Sequence, residues 1–192
     1  MPSEKSGFRF QPLEYERWRD AENLFGERGA CGGCWCMHWR ETGREFNEKK
    51  GEGNRVAFKR LVKGKAQTGI IAYADKTPVG WIAFAPREEY TRLSTSKILK
   101  PVDDKPVWSV VCFYIDKNYR HKGLTVELLK EAEKHAKKNG AKIIEGYPID
   151  PETKNYVPAF AFTGLASAFR KAGFTEVARR SETRPIMRKI LR

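Results

Sequence analysis

The run Val107 to Ile115 (VWSVVCFYI) constrains this chain more than any other segment. It is β-branched, aromatic and almost unbroken in apolarity, the pattern of a strand covered on both faces. A short basic stretch follows, then a helix from about Gly123 to Asn139. Its Leu124, Leu128, Leu129, Ala132 and Ala136 form one stripe, while Glu127, Lys130, Glu131, Lys134, Lys137 and Lys138 face water. Gly140 closes the helix, and Ala141 to Tyr147 reads as a second buried strand. Two such strands joined through a helix make a β–α–β unit with parallel strands.

The rest of the chain supplies partners for that unit. Phe8 to Pro12 reads as a strand, and Glu14 to Phe25 as an amphipathic helix. Residues 26–40 are rich in Gly and Cys, and 41–54 read as a polar connection. Asn54 is placed to cap a helix over 55–63. Thr68 to Ala74 and Val79 to Pro86 flank the turn sequence Asp75-Lys76-Thr77-Pro78 and predict a hairpin. Residues 87–106 look irregular and 148–158 form a loop. A short helix over 165–172 precedes two strands, 174–179 and 184–190. The expectation is one α/β domain over 1–192, a mixed and mostly antiparallel sheet of about seven strands with about four helices.

Composition bounds the function. Of 192 residues, 40% are hydrophobic, enough for a core and against wholesale disorder. The net charge of +13 favours anionic partners and weighs against polycationic amines as substrates. Four cysteines are too few for a disulfide scaffold. With no long apolar run and no leader-like segment, a cytoplasmic protein without a membrane role is expected.

The chemistry concentrates at the strand–helix junction, Ile115-Asp-Lys-Asn-Tyr-Arg120-His-Lys-Gly123-Leu-Thr125. A buried strand running through a basic, Gly-bearing loop into a helix N-terminus aims free N–H groups and the helix dipole at one spot. That is a seat for a phosphate or pyrophosphate. Neither the dinucleotide Gly-x-Gly-x-x-Gly nor a P-loop is present.

Arg120-His121-Lys122-Gly123-Leu124-Thr125 resembles the Arg/Gln-x-x-Gly-x-Gly/Ala pyrophosphate loop of the GNAT acyltransferases. Phe169-Arg-Lys-Ala-Gly173-Phe174 resembles that family's second signature, an aromatic residue shortly before Gly-Phe. The order of elements agrees over nearly the whole chain, loosely over 26–54 and 87–106. Thr125 and Phe169 depart from the family, which usually has Gly or Ala at the first position and often Tyr at the second. The resemblance implies an acetyl-CoA-dependent N-acetyltransferase with a small-molecule or peptide amine as acceptor. The cosubstrate would lie in a splay between the two parallel strands. Backbone groups of Phe113, Tyr114 and Ile115 would pair with its pantetheine arm, residues 120–125 would hold its pyrophosphate, and Phe169 would lie beside it.

Glu145, the one carboxylate in an otherwise apolar strand beside the expected splay, is the candidate base. Cys112 reads as a small core hydrophobe or as a nucleophile. Cys31, Cys34, Cys36 and His38 read as the wall of an acceptor site or as zinc ligands, although the tight Cys-x-Cys spacing speaks against a metal. His135 reads as solvated. The basic residues of the last two strands, Arg179, Arg180, Arg184, Arg188, Lys189 and Arg192, read as an outer face. Nucleic acid is the less favoured partner and a homodimer is compatible. A nucleic-acid-binding module or a non-catalytic CoA sensor are the competing functions.

Overall fold

In the computed structural model, which describes residues 7–151 and 162–192, the all-apolar run is extended over Trp108–Ile115 and is the fourth strand, β4. Before it come β1 (Phe8–Pro12), β2 (Gly69–Ala74) and β3 (Thr77–Pro86). After it come β5 (Ile143–Gly146), β6 (Thr175–Arg179) and β7 (Pro185–Ile190). The sheet order is β1-β2-β3-β4-β5-β7-β6. Among the described strands β4 and β5 are the parallel pair, and the other neighbours are antiparallel. The helices are α1 (Trp18–Phe25), α2 (Gly43–Glu48), α3 (Glu52–Lys63), α4 (Thr91–Thr95), α5 (Leu124–Lys138) and α6 (Ala166–Lys171). None is long and apolar enough to cross a membrane among the described residues.

The double-sided apolarity of β4 now has its cause. One face packs Val111 and Tyr114 against Trp18, Phe25, Trp35 and Phe58, carried by α1, α3 and the segment between them. The other packs Val110 and Phe113 against Leu128 and Leu129 of α5 and Phe169 of α6. The segment expected to be a polar connection contains α2, capped by Thr42 and Glu45 in a reciprocal capping box. Asn54 is no cap: α3 begins at Glu52, and the buried Asn54 amide donates to Gly33 O at 3.1 Å. The loop expected over 148–158 falls largely outside the described residues. In the last strands Ile186 is buried as expected, but Arg188 is buried where an outer residue was expected, and Val177 and Ile190 are exposed.

Two features open the sheet between β4 and β5. Their ladder runs from Trp108↔Ile144 to Val110↔Gly146 and stops, while β4 continues to Ile115. At the same point the β3–β4 register jumps from Phe84↔Val110 to Ala83↔Cys112, so Val111 is a bulged residue. The bulge sends Val111 and Cys112 to the same side, whereas strict alternation would have separated them. Opposite the break, the fully buried Phe169 ring covers Gly146 and stands edge-on to Phe113 with centroids 6.1 Å apart. A Cβ on Gly146 would overlap that ring. Gly146→Ala is therefore expected to cost ~1–3 kcal/mol, the scale of core overpacking, read as a lowered denaturant midpoint. An unchanged midpoint would contradict this packing.

Candidate functional site

The loop from Lys117 to Gly123 enters α5 through two left-handed residues, His121 (φ 61°) and Gly123 (φ 79°). Gly123 has open space where a Cβ would stand, so its backbone conformation and not crowding calls for glycine. Leu124 packs 2.9 Å from the Cβ position of Gly80 in β3, which fixes the start of α5 against the sheet. The backbone N–H groups of His121, Lys122, Gly123, Leu124 and Thr125 meet no acceptor among the described residues. Arg120 folds back, its Nε donating to Ile115 O at 3.1 Å, which ties the loop to the end of β4. The expected loop residues thus come together as free donors at the positive end of a 15-residue helix.

On the opposite face of β4 lies a pocket of about 320 Å³, lined by Cys34, Cys36, His38, Phe46, Cys112 and Phe162 among others. The loop that builds its wall is held in uncommon backbone conformations at Ala30 (φ 68°), Trp35 (φ 41°) and Cys36 (φ 57°). Gly29 and Gly33 permit this: a Cβ on Gly29 would overlap Trp35, and one on Gly33 would come 2.7 Å from the Gly51 backbone. Cys36 and Cys112 both line the pocket, and the Cys112 thiol donates to Phe113 O at 3.7 Å. Burial, then the neighbouring Cys112, pushes the Cys34 and Cys36 thiols up, Cys36 well above the ordinary range. They are therefore held as neutral thiols, poor nucleophiles and poor metal ligands. Among the described residues no group of three or more Cys, His, Asp or Glu side chains could hold a metal ion.

His38 lies between the edges of Trp39, Phe46 and Phe162, with ring centroids 5.3, 5.3 and 5.8 Å away. Burial, and then the charges of Arg92 and Arg184, push it down from 6.5 to about 4. The imidazole has no hydrogen-bond partner among the described residues and is neutral at pH 7. His135 is not simply solvated, since its Nε2 meets Gln67 Oε1 at 2.8 Å, beside Phe84.

Glu145 is placed differently from the expectation. It is 1% exposed, and both oxygens are engaged. Arg188 Nε donates to Oε2 at 2.5 Å, while Arg87 Nη1 and the Tyr147 hydroxyl donate to Oε1 at 3.2 and 2.6 Å. Arg87 also donates to the carbonyls of Leu93 and Leu99, and Arg188 to Asp103. A carboxylate this buried, with both oxygens held by guanidiniums and a hydroxyl, is placed as a structural anchor between strands rather than at the face of the pocket. Phe169 is likewise a fully buried packing residue without an acidic proton. The sequence reading placed His38 in the wall of the acceptor site or in a zinc set, without a role in proton transfer, and gave Arg184 no special place. Their pairing across the fold left no local signal.

The acetyltransferase (GNAT) family profile matches residues 35–152. No curated protein matches the chain in sequence. Among solved structures, PaiA N-acetyltransferase from Thermoplasma acidophilum in complex with coenzyme A is similar over 95% of this chain and 98% of its own, at 19% identity and TM-score 0.52. A GNAT-family acetyltransferase from Streptococcus agalactiae covers 96% of each chain at 10% identity and TM-score 0.58. The ribosomal-protein-S5-alanine acetyltransferase from Vibrio fischeri covers 98% of this chain and 95% of its own, at 14% identity and TM-score 0.53.

Two outcomes test this geometry. Replacing Glu145 by Gln leaves two buried guanidiniums short of charge, and a stability loss on the order of 3 kcal/mol is expected by chemical denaturation. A stable variant whose only change is a lost acidic limb in its pH–rate profile would restore Glu145 as the base. In an NMR titration the His38 imidazole should titrate near 4, and Arg184→Gln should raise that value. Because this histidine is depressed in the folded state, the stability it contributes is full above about 6.5 and is lost as pH falls towards 4. Titration of His38 near 6.5 in the folded protein would contradict the arrangement.

Proposed function

The chain belongs to the GNAT acetyltransferase family, and from that premise we propose that it transfers the acetyl group of acetyl-CoA directly to an amine bound in the thiol-lined pocket. The observation that carries the reading is the coincidence of three features. The β4–β5 ladder ends at Val110 and Gly146, free N–H groups gather over 121–125, and a pocket abuts Cys112 to Tyr114.

The residues suit the cosubstrate. Residues 112–115 of β4 pair with β3 on one side and have no neighbour on the other among the described strands, so an extended amide-bearing arm can complete the ladder there. The N–H groups of His121 to Thr125 offer donors to a pyrophosphate, with Arg120 and Lys122 adding charge. Acetyl-CoA, when bound, would supply the acetyl group as an activated thioester, which an unprotonated amine can take without a covalent enzyme step, the C–S bond breaking as the C–N bond forms and CoA leaving as a thiolate that is protonated to the thiol. The neutral thiols of Cys34 and Cys36 speak for that direct route.

Deprotonation follows from the charges around the pocket. Among the described residues no carboxylate lines it, while Arg92 and Arg184 act on it from nearby and Lys50 stands at its wall. A positive environment disfavours a bound ammonium and delivers the acceptor as a free amine. His38 lies within the lining with its ring nitrogens unpartnered, placed to take the proton as the nitrogen bonds to carbon and becomes far more acidic.

Calorimetric titration with acetyl-CoA should give saturable binding that Gly123→Asp abolishes. That change strains a left-handed position (φ 79°) and adds a negative charge at the phosphate seat. Equal binding by the variant would remove the loop from the site, and no binding by the unaltered protein would overturn the reading.

A further inference from the structure

β7 and the residue just before it carry two arginines, Arg188 and Arg184, towards the sheet face that holds the pocket. Alternation from Arg184 through Ile186 to Arg188 puts all three on one side. Ile186 belongs to the same apolar cluster as Trp39 and Val111. Arg188 is buried and satisfied by Glu145 and Asp103. Arg184, at the opposite end of β7, is half-buried, and its guanidinium meets no carboxylate and no hydrogen-bond acceptor among the described residues.

Its position follows from register. Met187 stands opposite Gly146, the last residue of β5, and the Asp150 N–H donates to Thr183 O at 2.9 Å. Arg184 therefore lies beyond the end of the β4–β5 ladder, at the open end of the splay. Its charge reaches His38 in the pocket wall, and Arg92, stacked over the Phe46 ring at 5.2 Å, acts on His38 as well. The pocket's apolar lining of thiols and aromatic rings thus lies within reach of the charge of Arg184, a guanidinium that meets no counter-ion among the described residues.

Holding a half-buried cation without a counter-ion opposes folding, and burial works against the charge of Arg184. An anion supplied by the ligand relieves that cost. The guanidinium fork matches a carboxylate through two parallel N–H···O bonds. We propose that the acceptor is a small amine that itself carries a carboxylate, an apolar α-amino acid in chemical class, with its carboxylate on Arg184 and its side chain in the thiol-lined pocket. The assignment rests on the transferase reading above and adds the class of acceptor. It agrees with the overall charge of +13, which repels polyamines but sets no such barrier against a zwitterion of zero net charge.

The test measures steady-state acetylation of leucine, methionine and phenylalanine, each beside its amide and its decarboxylated amine. It uses the unaltered enzyme, Arg184→Gln and Arg184→Lys, with acetyl-CoA binding followed by calorimetry. The expected result is that at least one acid is preferred over its amide and amine by about tenfold or more in kcat/KM, a difference of about 1.4 kcal/mol. Arg184→Gln should erase the preference by raising KM for the acid while acetyl-CoA affinity stays unchanged, and Arg184→Lys should restore part of it. Equal rates on acid, amide and amine, acetylation of none of the acids, or a KM indifferent to Arg184→Gln would overturn the proposal. Failure of the unaltered protein to bind acetyl-CoA would instead overturn the transferase reading beneath it.

Discussion

The parallel ladder between β4 and β5 ends after three residue pairs, while β4 runs on to Ile115, bulged at Val111 and from Cys112 onward paired with β3 alone among the described strands. Buried N–H and C=O groups do not stay unpaired at equilibrium, so this edge is built for an extended partner or for water. The other parts of the site refer to that break. The Val111 bulge, at the same level, turns Cys112 towards the Cys- and Gly-rich wall. Phe169 occupies the space that a side chain at Gly146 would need. The loop leaving Ile115 places the donor-rich start of α5 just beyond the open edge, fixed by the contact of Leu124 with Gly80.

A buried ionic network braces the closed end of the break. Arg87, Ser109, Glu145, Tyr147 and Arg188 join the end of β3 to β4, β5 and β7, and Arg87 and Arg188 extend the ties to Leu93, Leu99 and Asp103. Further along, Asp150 receives Arg170 of α6 and Arg179 of β6, both at 2.8 Å. Such networks contribute less net stability than their contact distances suggest, because desolvation offsets the attraction. Their effect here is positional, holding diverging strands at a fixed separation so that the acceptor meets a preorganised site.

Much of the fold was legible because its signals are local. The VWSVVCFYI run, the apolar stripe of α5 and the hairpin turn at Asp75–Pro78 each sit within one short segment. The Thr42-x-x-Glu45 box that starts α2 was equally local and was passed over because the segment is polar. What escaped needs contacts between distant segments. A carboxylate alone in an apolar strand looks the same whether it faces a substrate or two guanidiniums, and Glu145 meets arginines 58 and 43 residues away. The placement of Cys112 beside Cys36 depends on a single bulged residue that no period-2 pattern reveals. His38 acquires its low proton affinity largely from burial and from arginines on two other segments.

The account stands most directly on the open edge of β4, which backbone hydrogen exchange with and without acetyl-CoA would examine. Protection concentrated in Val111 to Ile115 and in His121 to Thr125 is the expected result, because an added extended arm and a seated pyrophosphate would occupy free N–H groups there. Ligand-dependent protection confined to other parts of the sheet, or to the hollow beside Glu22 and Arg55, would contradict it.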